Sequence, residues 1–327
     1  MKSQESVTLP RSVSSSKPSG NGDCRTIPVC YVAGTSHCGS TLLALLMDSH
    51  PQVTSVGEAV PNVRIQRSDP GDYTCSCGQP IARCAFWQGV IGGVQARGLP
   101  FSAQNWTNDY QYKNRLLGRL LNKYSHRPAV RRLQLAAEWF PPLRRRLALS
   151  HRVNRAFMEE ILDRTGAEVF LDTTKSLRRL YQLLCVEGLE VRVVWLVRDV
   201  RAFAYSTRRK GFSASMAANS WRCDQCNAQG LLGKLEDDKV LKLRYEDFCA
   251  DPAHWLGELC GFLGVSTLAL PEMMYPAEHH ILGNQMRLRG PQRIEFDEKW
   301  RVGLDPEEQE AALSVAGGLH RELGYAD

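Results

Sequence analysis

A parallel β-sheet covered by helices on both faces is the architecture this sequence predicts, and three observations carry that expectation. Short, nearly uninterrupted apolar runs recur at Pro28–Ala33 (PVCYVA), Glu168–Asp172 (EVFLD), Val191–Val197 (VRVVWLV) and Val240–Tyr245 (VLKLRY). Strands that lack polar/apolar alternation are buried on both faces, which is the situation of parallel strands. Each run is followed by helix-like sequence, the alternation that builds a layered α/β domain. A chain of 327 residues with 43% apolar content is also long enough for one large core.

The elements follow in order. Residues 1–25 are rich in Ser, Lys, Pro and Gly and contain no apolar stretch, so a disordered tail is expected there, without a signal peptide or a membrane helix. Pro28–Ala33 reads as a strand ending at Gly34, and Thr41–Met47 (TLLALLM) as a helix closed near His50-Pro51. Residues 70–165 break the pattern with a Cys- and Gly-rich stretch and several helical segments of mixed polarity, and are expected to form an insertion or lid within one domain spanning 26–327. Ser213–Lys234 predicts another helix, and Pro276–Trp300 a long loop rich in Gly, Arg and His, of the kind that carries function.

Charge and cysteine usage bound the partners. Charges interrupt every later hydrophobic run before the roughly 18 residues needed to cross a bilayer, so a cytoplasmic protein with no membrane span is expected. The net charge of +6 is modest, and no nucleic-acid partner is expected. A basic run holds Arg127, Arg131, Arg132, Arg144, Arg145, Arg146, Arg152 and Arg155 against the single acid Glu138. Such a run is ordinarily a solvated helix face, with an anionic partner as the sharper reading. Eleven cysteines are an odd number, and a reducing compartment keeps thiols free. Cys75-x-Cys77-Gly and Cys84 offer three thiolates to zinc, with Cys223-x-x-Cys226 as a completing pair; the spacing matches no standard finger, and free packed cysteines are the default.

The segment Gly34-Thr-Ser36-His37-Cys38-Gly39-Ser40-Thr41 has the spacing of the phosphate-binding loop G-x-x-x-x-G-K-[ST], with Ser40 where the lysine belongs. In nucleotide triphosphatases that lysine reaches the β- and γ-phosphates. A loop that keeps its glycines and hydroxyls can still wrap a 5′-phosphate with backbone N–H groups at a helix N-terminus. Cys38 lies where a helix N-terminus lowers a thiol pKa, which raises a redox or nucleophile reading beside simple packing.

The run Gly34–Glu58, including His50-Pro51 and Gly57-Glu58, resembles the 5′-phosphosulfate loop of sulfotransferases that use 3′-phosphoadenosine-5′-phosphosulfate (PAPS). Val193–Ser206 (VVWLVRDVRAFAYS) resembles the same family's 3′-phosphate block, an arginine at a strand end and a serine eight residues later, here Arg198 and Ser206. Leu243–Phe248 and Glu278–Arg287 also look like blocks of bacterial members. The resemblance implies a P-loop nucleotide-kinase-like sulfotransferase fold, with the insertion carrying acceptor contacts. It implies metal-free, in-line transfer of a sulfonate from PAPS to a hydroxyl or amine, leaving 3′-phosphoadenosine 5′-phosphate.

It also nominates residues. His37 stands where the family has a lysine or arginine facing the leaving phosphate. Glu58 matches the base of tyrosylprotein-type members, while the histidine base of the cytosolic branch keeps His37, His279 and His280 as alternatives. A glutamate capping the Ala59–Pro61 turn is the structural alternative for Glu58. Lys175, after the strand, resembles a lysine that contacts the transferred group, with Asp172 and Ser176 expected to cap the turn. Arg287 and Arg289 lie where family members close over the 3′-phosphate. A small-molecule kinase and an inactive nucleotide-binding module are the rival readings, and Ser40 argues against the first.

Overall fold

The structure, a computed structural model, describes residues 25–61, 69–110, 136 and 140–326. All four apolar runs form strands. β1 (Ile27–Gly34), β3 (Val169–Lys175), β4 (Leu189–Val197) and β5 (Val240–Arg244) join a fifth strand, β2 (Val53–Ser55), in one all-parallel sheet of order β2-β3-β1-β4-β5. β1 is central, and successive residues along it serve opposite faces. Ile27, Val29, Tyr31 and Ala33 enter one hydrophobic cluster, and Cys30 and Val32 the other. Burial on both faces is why these strands are continuously apolar.

On the first face, α2 (Ala85–Ala96), α3 (Pro141–Thr165) and α4 (Leu177–Leu183) bring Trp87, Phe157 and Leu180 against Phe170 and Val193. The described parts of 70–165 therefore contribute to the core itself. On the second face, α1 (Ser40–Asp48) lies with α7 (Tyr245–Ala250) and α8 (Pro252–Leu263). A third cluster beyond β4 joins α5 (Val200–Arg208), α6 (Ala214–Leu232) and α10 (Pro306–Ala316), with Trp221 at its centre. α9 (Trp300–Gly303) and α11 (Gly318–Glu322) complete the C-terminal end.

Five of the described helices start on a side-chain cap, Ser176 for α4, Asp199 for α5, Ser213 for α6, Asp251 for α8 and Asp305 for α10. α1 differs. Its N-cap is Gly39 in the left-handed region, with no side-chain cap, so its first N–H groups face outward at the carboxyl edge of the sheet, where ligands of α/β folds gather. Among the described residues, no helix is long and apolar enough to cross a membrane. The tail of residues 1–24, and Arg127, Arg131, Arg132 and Glu138 of the basic run, lie outside the described residues. Arg155 of that run is engaged within the fold, with Glu159 at 2.9 Å and the carbonyl of Glu187 at 2.9 Å.

Candidate active site

The loop between β1 and α1 is shaped by two residues with positive φ, His37 at 63° and Gly39 at 96°. A side chain on Gly39 would stand 2.5 Å from the ring of Tyr245, so glycine is required both by conformation and by space. Cys38 is fully buried beneath the loop. Burial raises its pKa, with Lys175 and Arg198 opposing that only in part. The thiol therefore packs, and the low-pKa nucleophile reading does not hold. Ser36 is exposed at the loop's tip, and Thr41 follows Ser40 in the first turn of α1. The Thr35 hydroxyl is buried with no hydrogen-bond partner, which is costly unless something else supplies one.

The lysine missing at position 40 is delivered from the neighbouring strand. Lys175 ends β3 with φ 66°, an uncommon conformation for a residue with a side chain. Its Nζ donates to Ser40 Oγ at 3.0 Å, to Glu58 Oε1 at 3.0 Å and to the Thr173 carbonyl at 2.7 Å. Burial works against its charge, but the Glu58 carboxylate beside it more than compensates and its pKa rises. The ammonium is thus a fixed cation at the mouth of the loop.

Glu58 is held by its backbone. Its N–H donates to the Leu282 carbonyl at 3.1 Å, and the Leu282 N–H donates to Val56 at 2.8 Å. A side chain on Gly283, at φ 123°, would stand 3.2 Å from Glu58 Cγ, so the late loop lies directly against this carboxylate. The Ala59 N–H is satisfied by Thr174 Oγ1 at 3.0 Å, so the turn after Glu58 has its cap from another residue.

Arg198 follows β4 and is buried on the other side of the loop. One Nη donates to the His37 carbonyl at 2.8 Å and the other to the Asp297 carbonyl at 3.1 Å, with the Asp297 carboxylate at 3.5 Å. The guanidinium lies 4.3 Å from the centre of the Tyr245 ring, a cation–π contact, and its Nε is buried without a partner. Ser206 stands near the end of α5, its hydroxyl back-bonded to Ala202 at 2.8 Å.

His37 has a partner that the sequence reading did not identify. Its Nε2 accepts from Lys210 Nζ at 2.9 Å. Burial, then Lys210, Arg198 and Lys175, push its pKa down to about 4. The ring is neutral at neutral pH, and the cation at this position of the loop is Lys210. The basic Arg208-Arg209-Lys210 run at the end of α5 was the available signal.

The remaining nominees are placed elsewhere or otherwise engaged. His279 pairs with Asp48 at 2.5 Å, and His280 turns toward Cys75 and Cys84. Asp172 is fully buried in an ion pair with Arg179 at 2.6 Å and accepts from the Thr174 backbone at 2.9 Å. Arg287 is buried against Tyr73 and donates to the carbonyls of Thr74, Gly283 and Asn284, so it ties one loop to another and shares no partner with Arg198. Arg289 is exposed. Cys223 and Cys226 sit on α6, and the residue that joins Cys75, Cys77 and Cys84 is instead His280.

Comparison with protein-family models and with curated proteins gave no match. Among solved structures the chain is similar to the sulfotransferase domain of a Synechococcus olefin synthase, at 18% identity over 95% of this chain and 99% of that one, TM-score 0.47. It is also similar to a sulfotransferase domain from the curacin biosynthetic pathway, at 16% identity over 89% and 97%, TM-score 0.46. A third is a sulfotransferase from Alicyclobacillus acidocaldarius, at 13% identity over 90% and 96%, TM-score 0.37.

Proposed function

We propose that this protein transfers a sulfonate group from PAPS to a hydroxyl or amine of an acceptor. The observation that carries the reading is the cation set around the loop. Position 40 has no lysine, yet Lys175 reaches Ser40 from β3 and Lys210 reaches His37 from beyond α5. Two buried polar atoms, Thr35 Oγ1 and Arg198 Nε, wait without partners beside the uncapped start of α1. Such a cradle suits a phosphate ester with oxygens to share among N–H, hydroxyl and ammonium donors.

Each residue then has a task. The α1 N–H groups, Ser40 and Thr41 hold the 5′-phosphate. Arg198, with Ser206 along α5, takes the 3′-phosphate that distinguishes this donor from AMP. Lys175 donates to the oxygens on which charge builds as the sulfur–oxygen bond breaks. Lys210, resting on neutral His37, screens the leaving phosphate. Glu58 removes the acceptor proton. Asp172, the carboxylate in the middle of β3, is committed to Arg179, which argues against a magnesium-dependent kinase using that acid.

The experiment is incubation with PAPS and a pooled acceptor library in magnesium-free buffer, following the 3′,5′-bisphosphate by mass spectrometry. Release that depends on an acceptor and is not raised by magnesium is expected. Strict magnesium dependence with ATP as the donor would overturn the proposal.

A binding test separates the donor-site assignment from catalysis. The 3′,5′-bisphosphate is expected to bind at least about tenfold more tightly than AMP, a difference of about 1.4 kcal/mol that one charge-assisted bond readily supplies. Titration calorimetry measures it. Arg198→Ala should erase the preference while AMP affinity changes little, and an intact preference in that variant would remove Arg198 from the 3′-phosphate.

A further inference from the structure

Cys75, Cys77, Cys84 and His280 converge beside the active site, although His280 lies 205 residues beyond Cys75. Their three Sγ atoms and the imidazole nitrogen all fall within 4.8 Å of one another. Three of the six separations match those of a coordination tetrahedron. Thiolates at about 2.3 Å and an imidazole nitrogen at about 2.0 to 2.1 Å from a tetrahedral zinc stand about 3.8 Å (S···S) and about 3.6 Å (S···N) apart. Here Cys75 Sγ is 3.6 Å and Cys84 Sγ 3.5 Å from His280 Nδ1, and Cys77 Sγ is 3.6 Å from Cys84 Sγ.

We propose that Cys75, Cys77, Cys84 and His280 bind one structural zinc ion.

The surrounding backbone is built for such an ion. Cys75 and Cys77 flank a tight turn closed by Gly78 at φ 84°, whose N–H donates to the Cys75 carbonyl at 2.9 Å. Cys84 is the N-cap of α2. The His280 ring is stacked on Phe86 with centroids 4.4 Å apart and planes 5° from parallel, which fixes the direction of Nδ1.

Three thiolates and an imidazole select a borderline-soft ion over magnesium or calcium. Four protein ligands, two of them fully or almost fully buried, close the coordination sphere, which marks a structural site. Binding ionises the thiols and releases up to about three protons to solvent.

The ion would tie two loops that together support Glu58. Ser76 donates to the His279 carbonyl at 2.5 Å, and its Oγ accepts from the Ile281 N–H at 2.9 Å. The next residue, Leu282, bonds both Val56 and Glu58. Zinc at His280 thus anchors the segment on which the Glu58 backbone rests.

The test needs no activity assay, so its outcome is independent of sulfonate transfer. Elemental analysis of protein purified under reducing conditions should find about one zinc per chain. In Cys84→Ser and in His280→Ala that content should fall at least about tenfold, while a Cys223→Ser/Cys226→Ser double variant should keep it. If a ligand variant does not fold, the wild-type protein still decides. Cobalt exchanged into it should give the intense visible bands of a tetrahedral thiolate-rich site, and a thiol reagent should reach about three more cysteines after a strong chelator than before. The proposal is overturned by wild-type zinc no higher than in Cys84→Ser, by Cys75, Cys77 and Cys84 reacting before metal removal, or by a Cys77–Cys84 disulfide in the reduced preparation.

Discussion

Glu58→Gln is expected to slow the chemical step by roughly 10²- to 10⁴-fold, the contribution of a positioned general base, while affinity for the 3′,5′-bisphosphate stays nearly unchanged. Glu58, paired with Lys175 at 3.0 Å, is the base in the proposed reaction, and the alternative histidines are otherwise engaged. His279 is paired with Asp48, His280 faces the cysteine cluster, and His37, lowered to about 4, already accepts a hydrogen bond from Lys210. A group with so low a pKa is a weak acceptor of protons, and it changes charge only in the acid range. Below the ordinary imidazole pKa of 6.5 it stays neutral until about pH 4, so it should impose no step on the rate between roughly pH 5 and 8. Glutamine keeps the size of the side chain and an oxygen for Lys175, so the variant tests basicity and not packing. Single-turnover measurement with a verified acceptor decides it, and wild-type turnover in Glu58→Gln would exclude this carboxylate as the base.

What was legible in the sequence was what local spacing and period encode. The loop glycines, the strand runs, the helix at 213–234 and Arg198 at a strand end are all properties of short windows, and the structure has them. β2 was not anticipated because it has three residues, two of them Thr54 and Ser55, and no apolar run. Lys175 was nominated by resemblance, but its geometric meaning came from the fold. Only the pairing of β1 with β3 brings its Nζ to Ser40, 135 residues earlier. Lys210 was missed, and the cysteine partners of His280 were not foreseen, for the same reason, since each finds its partner across more than half of the chain. Arg287 shows the converse error. An arginine in a glycine-containing loop looks like a phosphate ligand, yet here its fork is filled by the carbonyls of Thr74, Gly283 and Asn284, an arrangement that a buried guanidinium requires and that no local pattern announces.

Lys175 carries the other large effect, and two substitutions separate its chemistry from its strain. Replacing it with Ala removes the ammonium from Ser40 and Glu58 and should lower kcat by about 10²- to 10³-fold, the loss seen when one preorganised donor to developing charge is deleted. Substrate affinity should fall less, because the α1 N–H groups, Ser40 and Arg198 keep their places. Lys175→Gly should be equally inactive, since it lacks the same ammonium. Stability should nevertheless distinguish the pair. The φ of 66° costs a residue with a Cβ about 1 kcal/mol and glycine almost nothing, so the Gly variant should unfold at a higher denaturant midpoint than the Ala variant, from which it differs by the Cβ alone. Both lose the buried pairing with Glu58 equally, so that term cancels in the comparison. Strain relieved by a substitution that abolishes activity is what a conformation retained for catalysis predicts. Two outcomes would count against this account: an Ala variant with wild-type kcat, which removes Lys175 from the transition state, or a Gly variant no more stable than the Ala variant, which removes the strain.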